Sequence, residues 1–345
     1  MTNTNVLDSV LERFAATGPE FGPGLSNHGP MASEALVVLG RPEAVEPWAE
    51  EYASRLREHP ESRNPIDSAH WREALGDIGR VGDWIAFFER EVREQPWPAL
   101  LELWVARLVP GIMAAATHGI IRTAHATRSL DSIETPERLH EFAEGLAYWA
   151  ARYQELPSRA GSPQDLTISD SLRHVPRIDD SQRGRFLIYD AVRVLDEESF
   201  GPAINLVSIE TEIGSFVTDL TRVFVRQYLA NANTGAVAFV HSVTAPSALR
   251  MLAPHLSTRT ARLTMRYAWQ ACAALYATYG RSDVGTLALS EELAPFDAED
   301  LIDQAVAARD EHAIKFTEAC LREYRLVPDP AFIAAAKDAV ARIRR

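Results

Sequence analysis

One stretch limits the folds open to this chain more than any other: Ala116-Thr-His118-Gly-Ile-Ile-Arg122-Thr-Ala-His125-Ala-Thr-Arg128, which continues the apolar run Leu108 to Thr117. Its composition is that of a buried helix, yet it carries two imidazoles and a guanidinium. Groups of that kind enter a core only when they are paired or put to use. Whatever folds around this stretch must supply partners for His118, Arg122 and His125.

The stretch has three partial echoes. Aligned on the first histidine, the segments beginning at His28, His118, His241 and His312 share a layout: a small residue one place on, Ser, Thr or Pro five places on, and Ala or His seven places on. The intervals between them are irregular, so this is no solenoid. Four similar elements, each pointing a histidine at one centre, would write such a pattern. Alanine-rich helices that merely resemble one another would write it too.

Elsewhere the apolar spacing is helical. It predicts helices over 6–16, 31–39, 42–57, 67–77, 80–95, 98–128 with a bend at Pro110-Gly111, 136–156, 182–196, 203–229, 233–253 and 258–280. A final block runs from Ala294 to Tyr324, followed by a helix over 330–343. Period-2 alternation of the half-buried strand kind is almost absent. The expectation is an all-α protein: a single large multi-helix domain over 1–345, with 158–180 as a possible lid or boundary loop and a buried metal centre. The cluster Thr17 to Gly24 reads as a loop, because prolines stand where a phosphate-binding turn needs N–H groups. Pro30, tolerated in a first helical turn, puts His28 at a helix start.

Acidic residues outnumber basic ones by 48 to 35, a formal charge of -13, and no basic run appears. Partners that need clustered cations, nucleic acid and anionic membrane, are therefore not expected. Cys272 and Cys320 lack CxxC spacing, which argues against a disulfide framework or thiolate zinc site. No basic-then-apolar leader is present at the N-terminus, and no uninterrupted apolar run reaches the roughly 20 residues of a membrane span. A soluble, cytoplasmic protein is expected.

Of 35 basic residues only Lys315 and Lys337 are lysine. An amine can lose its proton and react where a guanidinium cannot, so a lysine in so arginine-rich a chain marks a candidate for chemistry. Lys315 follows His312 by three residues, about 4.5 Å of helical rise, so the two side chains can meet. Flanking Ile314 and Phe316 suggest burial, which lowers a lysine's pKa. His28, His118, His241 and His312 with Lys315 thus form a candidate metal site drawn from four segments. Imidazole suits iron, zinc, copper and nickel, and a neutral lysine that captures carbon dioxide becomes an anionic carbamate able to offset their charge.

The other histidines carry less. His59, His70 and His140 lie among polar neighbours and are expected in solvent, and His174 and His255 sit beside loops. His125 projects from nearly the same face as His118, about 10.5 Å further along, and is assigned to a place behind the ligands or to the substrate pocket, with the place of one of the four ligands as the alternative. Arg122 can hold an anionic substrate or neutralise a buried acid. No nucleophile elbow, zincin pair or P-loop is present, which leaves hydrolase and NTPase readings without support.

Asn27-His-Gly-Pro-Met-Ala, His118-Gly-Ile-Ile-Arg-Thr-Ala-His125, His241-Ser-Val-Thr-Ala-Pro and Glu311-His-Ala-Ile-Lys-Phe-Thr-Glu-Ala319 together resemble the questin oxidase-like family, in an order that spans about residues 25 to 325. The resemblance implies an oxidoreductase of aromatic polyketide pathways that oxidatively opens a ring of an anthraquinone or a related polycyclic phenol. It implies Fe(II), mononuclear and non-haem, held by His28, His118, His241, His312 and carboxylated Lys315, with dioxygen as co-substrate and His125 and Arg122 as catalytic neighbours. The expected partner is a small aromatic molecule, for which Trp104 is a candidate wall of the pocket. Two alternatives stand beside this reading. One is an NADPH-dependent Baeyer–Villiger monooxygenase without metal, against which the lack of a dinucleotide motif counts; the other is a non-catalytic helical binder of aromatic metabolites.

Overall fold

A computed structural model describes residues 3–183, 187–281 and 296–345. Among them the regular structure is fifteen α-helices and one two-stranded hairpin, Glu20–Phe21 with Leu25–Ser26, so the protein is all-α. The chain packs as two compact units, Met1–Glu155 with Pro254–Ser257, and Leu156–Ala253 with Thr258–Arg345.

The first unit holds α1 (Asn3–Ala15), α2 (Gly29–Val38), α3 (Pro42–Ala53), α4 (Val81–Glu94), α5 (Trp97–Leu108), α6 (His118–Ser132) and α7 (Pro136–Ala151). Helix α7 is capped by the Thr135 hydroxyl, which accepts from the Arg138 N–H, with Pro136 pre-set in the first turn. It lies between α4 and α6. Contact with α6 is close because both helices bring glycine to it: a Cβ on Gly119 would stand 2.7 Å from Trp149 Cγ. Trp104 is at the centre of an aromatic cluster with Trp71, Trp84, Phe87 and Phe88, ring centroids 4.7–5.9 Å away. It is therefore core, not the wall of a ring pocket.

The second unit comprises α8 (Ile168–Leu172), α9 (Asp180–Arg183), α10 (Ile188–Ala191), α11 (Ile213–Leu252), α12 (Thr258–Tyr279), α13 (Ala298–Ala308), α14 (Glu311–Leu326) and α15 (Pro330–Arg342). Helix α11, broken locally at Gly235, packs against α12, α14 and α15. Buried acids fasten the last two: Glu323 of α14 accepts from Arg250 at 2.7 Å and Ser247 at 2.6 Å, while Asp329, which caps α15, holds Arg222 and Arg226. By length and composition α11 could cross a membrane, but 78% of its apolar window is buried, as in a core helix.

Several predicted elements take a different form. The stretch 98–128 is two helices rather than one bent helix: α5 ends in a 3-10 turn over Val109–Gly111, where Pro110 lacks an N–H, and Ala115, Ala116 and Thr117 then adopt left-handed backbone before α6 begins. In place of a helix over 67–77 there is one 3-10 turn, Trp71–Ala74, closed by Gly76 at φ +74°. The helix expected over 182–196 is reduced, among the described residues, to short turns. Asp179 and Asp196 hydrogen-bond nearby backbone N–H groups there and compete with helix formation. The helices over 203–229 and 233–253 merge into α11 from Ile213 onward. Ala294, where the last block was expected to begin, lies outside the described residues.

Candidate functional site

In the first unit the site begins at the start of α2. Asn27 braces the turn: its Oδ1 accepts from the Gly29 N–H at 2.9 Å and its Nδ2 donates to the Gly18 carbonyl at 3.1 Å. The His28 N–H donates to the Tyr52 hydroxyl at 2.7 Å. These bonds fix the backbone on both sides of His28, whose side chain is buried at the helix start, as the Gly-Pro that follows it predicts.

His118 reaches the same place by a costlier route. Ala115, Ala116 and Thr117 have φ of 49°, 58° and 72°, a left-handed run that disfavours L-residues by roughly 1–2 kcal/mol each. The run turns the Ala115 carbonyl onto the ring of His118, with oxygen and Nδ1 2.5 Å apart. A carbonyl only accepts, so the proton is on Nδ1 and Nε2 carries the lone pair, the arrangement a metal-binding imidazole requires. The His28 and His118 rings stand 4.4 Å apart, centroid to centroid, and both are buried.

The second unit builds a matching pair. His241 lies mid-way along α11, buried, its ring centroid 5.9 Å from that of His312. Asp310 caps α14 by accepting from the His312 backbone N–H at 2.8 Å, and its Oδ1 also lies 3.1 Å from His312 Nδ1. The carboxylate accepts a hydrogen bond from Nδ1–H as the Ala115 carbonyl does for His118, again leaving the lone pair on Nε2. Burial lowers the His312 pKa against the pull of Asp310, which favours the neutral ring.

Lys315 is one turn further along α14 and buried. Burial lowers its pKa to about 7, against the pull of the Asp310 charge. A large fraction of the amine is therefore neutral near pH 7 and able to act as a nucleophile.

Of the remaining sequence candidates, His125 is buried on α6 with Nδ1 2.7 Å from Glu34 Oε2, and Arg128 pairs with the same carboxylate. Arg122 neutralises buried acids: Nε and Nη2 donate to the two oxygens of Glu141 at 2.6 Å, and Nη2 also reaches Glu144. That is the second of its two expected roles. His59 and His140, expected in solvent, are half-buried beside Glu144; neighbouring Glu and Arg residues made their surroundings look polar, and the paired carboxylates face inward. His70 is exposed on Asp67, as expected.

The donors therefore gather as His28 with His118 in one unit and His241 with His312 and Lys315 in the other. Four buried imidazoles, two of them (His118 and His312) with Nε2 left free by an acceptor at Nδ1, are donors of the kind a divalent transition metal takes. No curated protein matches the chain. The family model described as questin oxidase-like matches residues 25–320, which takes in all five of these residues. The chain belongs to the questin oxidase-like family, named for an oxidase.

Proposed function

We propose that the protein is an iron-dependent oxygenase that cleaves a carbon–carbon bond in a ring of a polycyclic aromatic polyketide such as an anthraquinone. His28, His118, His241, His312 and carboxylated Lys315 are the proposed ligands of one Fe(II). The observation that carries the reading is Lys315, an amine buried one turn from an imidazole that Asp310 has already oriented.

The residues divide the work. The neutral Lys315 amine attacks carbon dioxide; an N–C bond forms, a proton leaves to solvent, and the carbamate supplies negative charge among neutral imidazoles. Ala115 and Asp310 fix the His118 and His312 tautomers before any metal arrives, so little reorganisation is needed on binding. Iron, when bound, supplies an electronic partner through which spin-paired aromatics can react with dioxygen. Glu34 holds the proton on His125 Nδ1, which leaves Nε2 as the atom able to accept a proton from a phenol.

The test is turnover of a panel of hydroxyanthraquinones by the iron-loaded chain, with oxygen uptake and product mass recorded. Ring-opened product containing oxygen from dioxygen, lost on chelation and restored by Fe(II), is expected. Full turnover by metal-free protein would end the proposal.

A second reading, NADPH-dependent Baeyer–Villiger oxygenation without metal, draws on a cleft of about 850 Å³ in the second unit, lined by Arg173, Arg177, Arg222 and Arg226. Arginine-lined clefts suit phosphates. Three of these arginines already pair with Asp170 or Asp329, which weakens that reading. NADPH consumption in proportion to product would favour it.

A further inference from the structure

A separate group of donors lies in the first unit, made of residues that the proposed iron site does not use. His140 and Glu144 are four residues apart on α7 and share one face. His59 faces them from the loop after α3, where its backbone N–H donates to the Ala16 carbonyl at 3.1 Å beside the Thr17–Glu58 bridge. One donor atom from each of His59, His140 and Glu144 lies within 4.8 Å of the other two.

Three features distinguish this group from an ordinary ion pair. Glu144 Oε1 lies 3.4 Å from His59 Nε2 and 3.3 Å from His140 Nε2, and none of the three atoms, each fully buried, makes a hydrogen bond. Two ligand atoms on a tetrahedral zinc, each bonded at about 2.0–2.1 Å, are separated by about 3.3–3.4 Å. The other ends of these side chains are engaged: Glu144 Oε2 accepts from Arg122, and His140 Nδ1 stands 3.0 Å from Glu89 Oε1 on α4. Contact with Glu144, with Glu89 behind the ring, raises the His140 pKa to about 9, so a metal ion must displace the Nε2 proton while Glu89 keeps the one on Nδ1.

We propose that His59 Nε2, His140 Nε2 and Glu144 Oε1 form a second metal site, one that takes a divalent cation of the zinc class. Three protein ligands leave the fourth position of a tetrahedral zinc for a water that the ion brings with it. The ion ties the 58–65 loop to α7.

The test uses the full chain carrying His241→Ala and Lys315→Met, which disables the five-residue centre, stripped of metal and titrated with Zn(II) against a chromophoric chelator. One zinc per chain is expected. Adding His59→Ala or His140→Ala should weaken uptake by about 100-fold or more, and Glu89→Gln by about 10-fold. No stoichiometric uptake, or uptake indifferent to His59→Ala and His140→Ala in protein of native circular dichroism, would overturn the proposal. Should the double substitution prevent folding, zinc content of the otherwise unaltered chain with and without His59→Ala decides the matter. His59 is outside the proposed iron shell, so loss of this site and loss of that one are read separately.

Discussion

His118 Nδ1 lies 2.5 Å from the carbonyl oxygen of Ala115, a residue three places earlier that is held at φ 49°. The backbone strain and the ring orientation are one feature: without the left-handed run the carbonyl would not face the imidazole. Asp310 does the equivalent for His312 with a side chain, at 3.1 Å.

Lys315 should make activity depend on carbon dioxide. Enzyme stripped of carbon dioxide and bicarbonate is expected to lose turnover and to recover it on bicarbonate addition, whereas Lys315→Arg stays inactive although folded. Oxygen-uptake assays across a bicarbonate series check this; undiminished activity in stripped enzyme would remove the carbamate from the account.

Arg122 is completely buried and faces two carboxylates, Glu141 and Glu144. Arg122→Met leaves both without their cation and should cost about 3–5 kcal/mol in urea unfolding. Adding Glu141→Gln should recover part of the loss. An Arg122→Met protein of unaltered stability but raised KM would instead make Arg122 a substrate-holding residue.

Glu34 gives the acid limb of stability. Burial alone would raise its pKa, but the charge of Arg128 and the bond to His125 override it and hold it at about 2, against an ordinary 4.5. A depressed carboxyl stabilises the fold above its unfolded pKa and loses that contribution as pH falls through its folded one. The contribution is on the order of 3 kcal/mol, present at neutral pH and lost between about pH 4.5 and 2. Unfolding free energies of wild type and Glu34→Gln should therefore differ most near neutrality and converge across that window.

Gly119→Ala should destabilise the first unit by about 1–3 kcal/mol, because the new Cβ meets Trp149 Cγ at 2.7 Å and Trp149 Cα at 2.9 Å, and a backbone atom cannot rotate away. Thermal unfolding of the variant measures the loss.

Much of this was legible in the sequence. Asn27-His28-Gly29-Pro30 announces a histidine at a helix start, and the scarcity of lysine singles out Lys315, whose burial the apolar neighbours Ile314 and Phe316 foretell. The break before His118 was not legible. Alanine and threonine carry no mark of left-handed backbone, and their helix-compatible pattern continues through the turn that tertiary packing imposes. The half-burial of His59 and His140 on Glu144 was not legible for the opposite reason. Charged neighbours read as solvated until the fold turns Glu144 inward against Arg122.

The central proposal is that His28, His118, His241 and His312 are ligands of one Fe(II). Iron K-edge absorption of Fe(II)-loaded His59→Ala protein tests it most directly, because the outer-shell signal counts imidazoles per iron. Four imidazoles and an oxygen ligand are expected, falling to three in His28→Ala and in His241→Ala alike. Two imidazoles per iron in the parent, or a spectrum unchanged by either substitution, would contradict it.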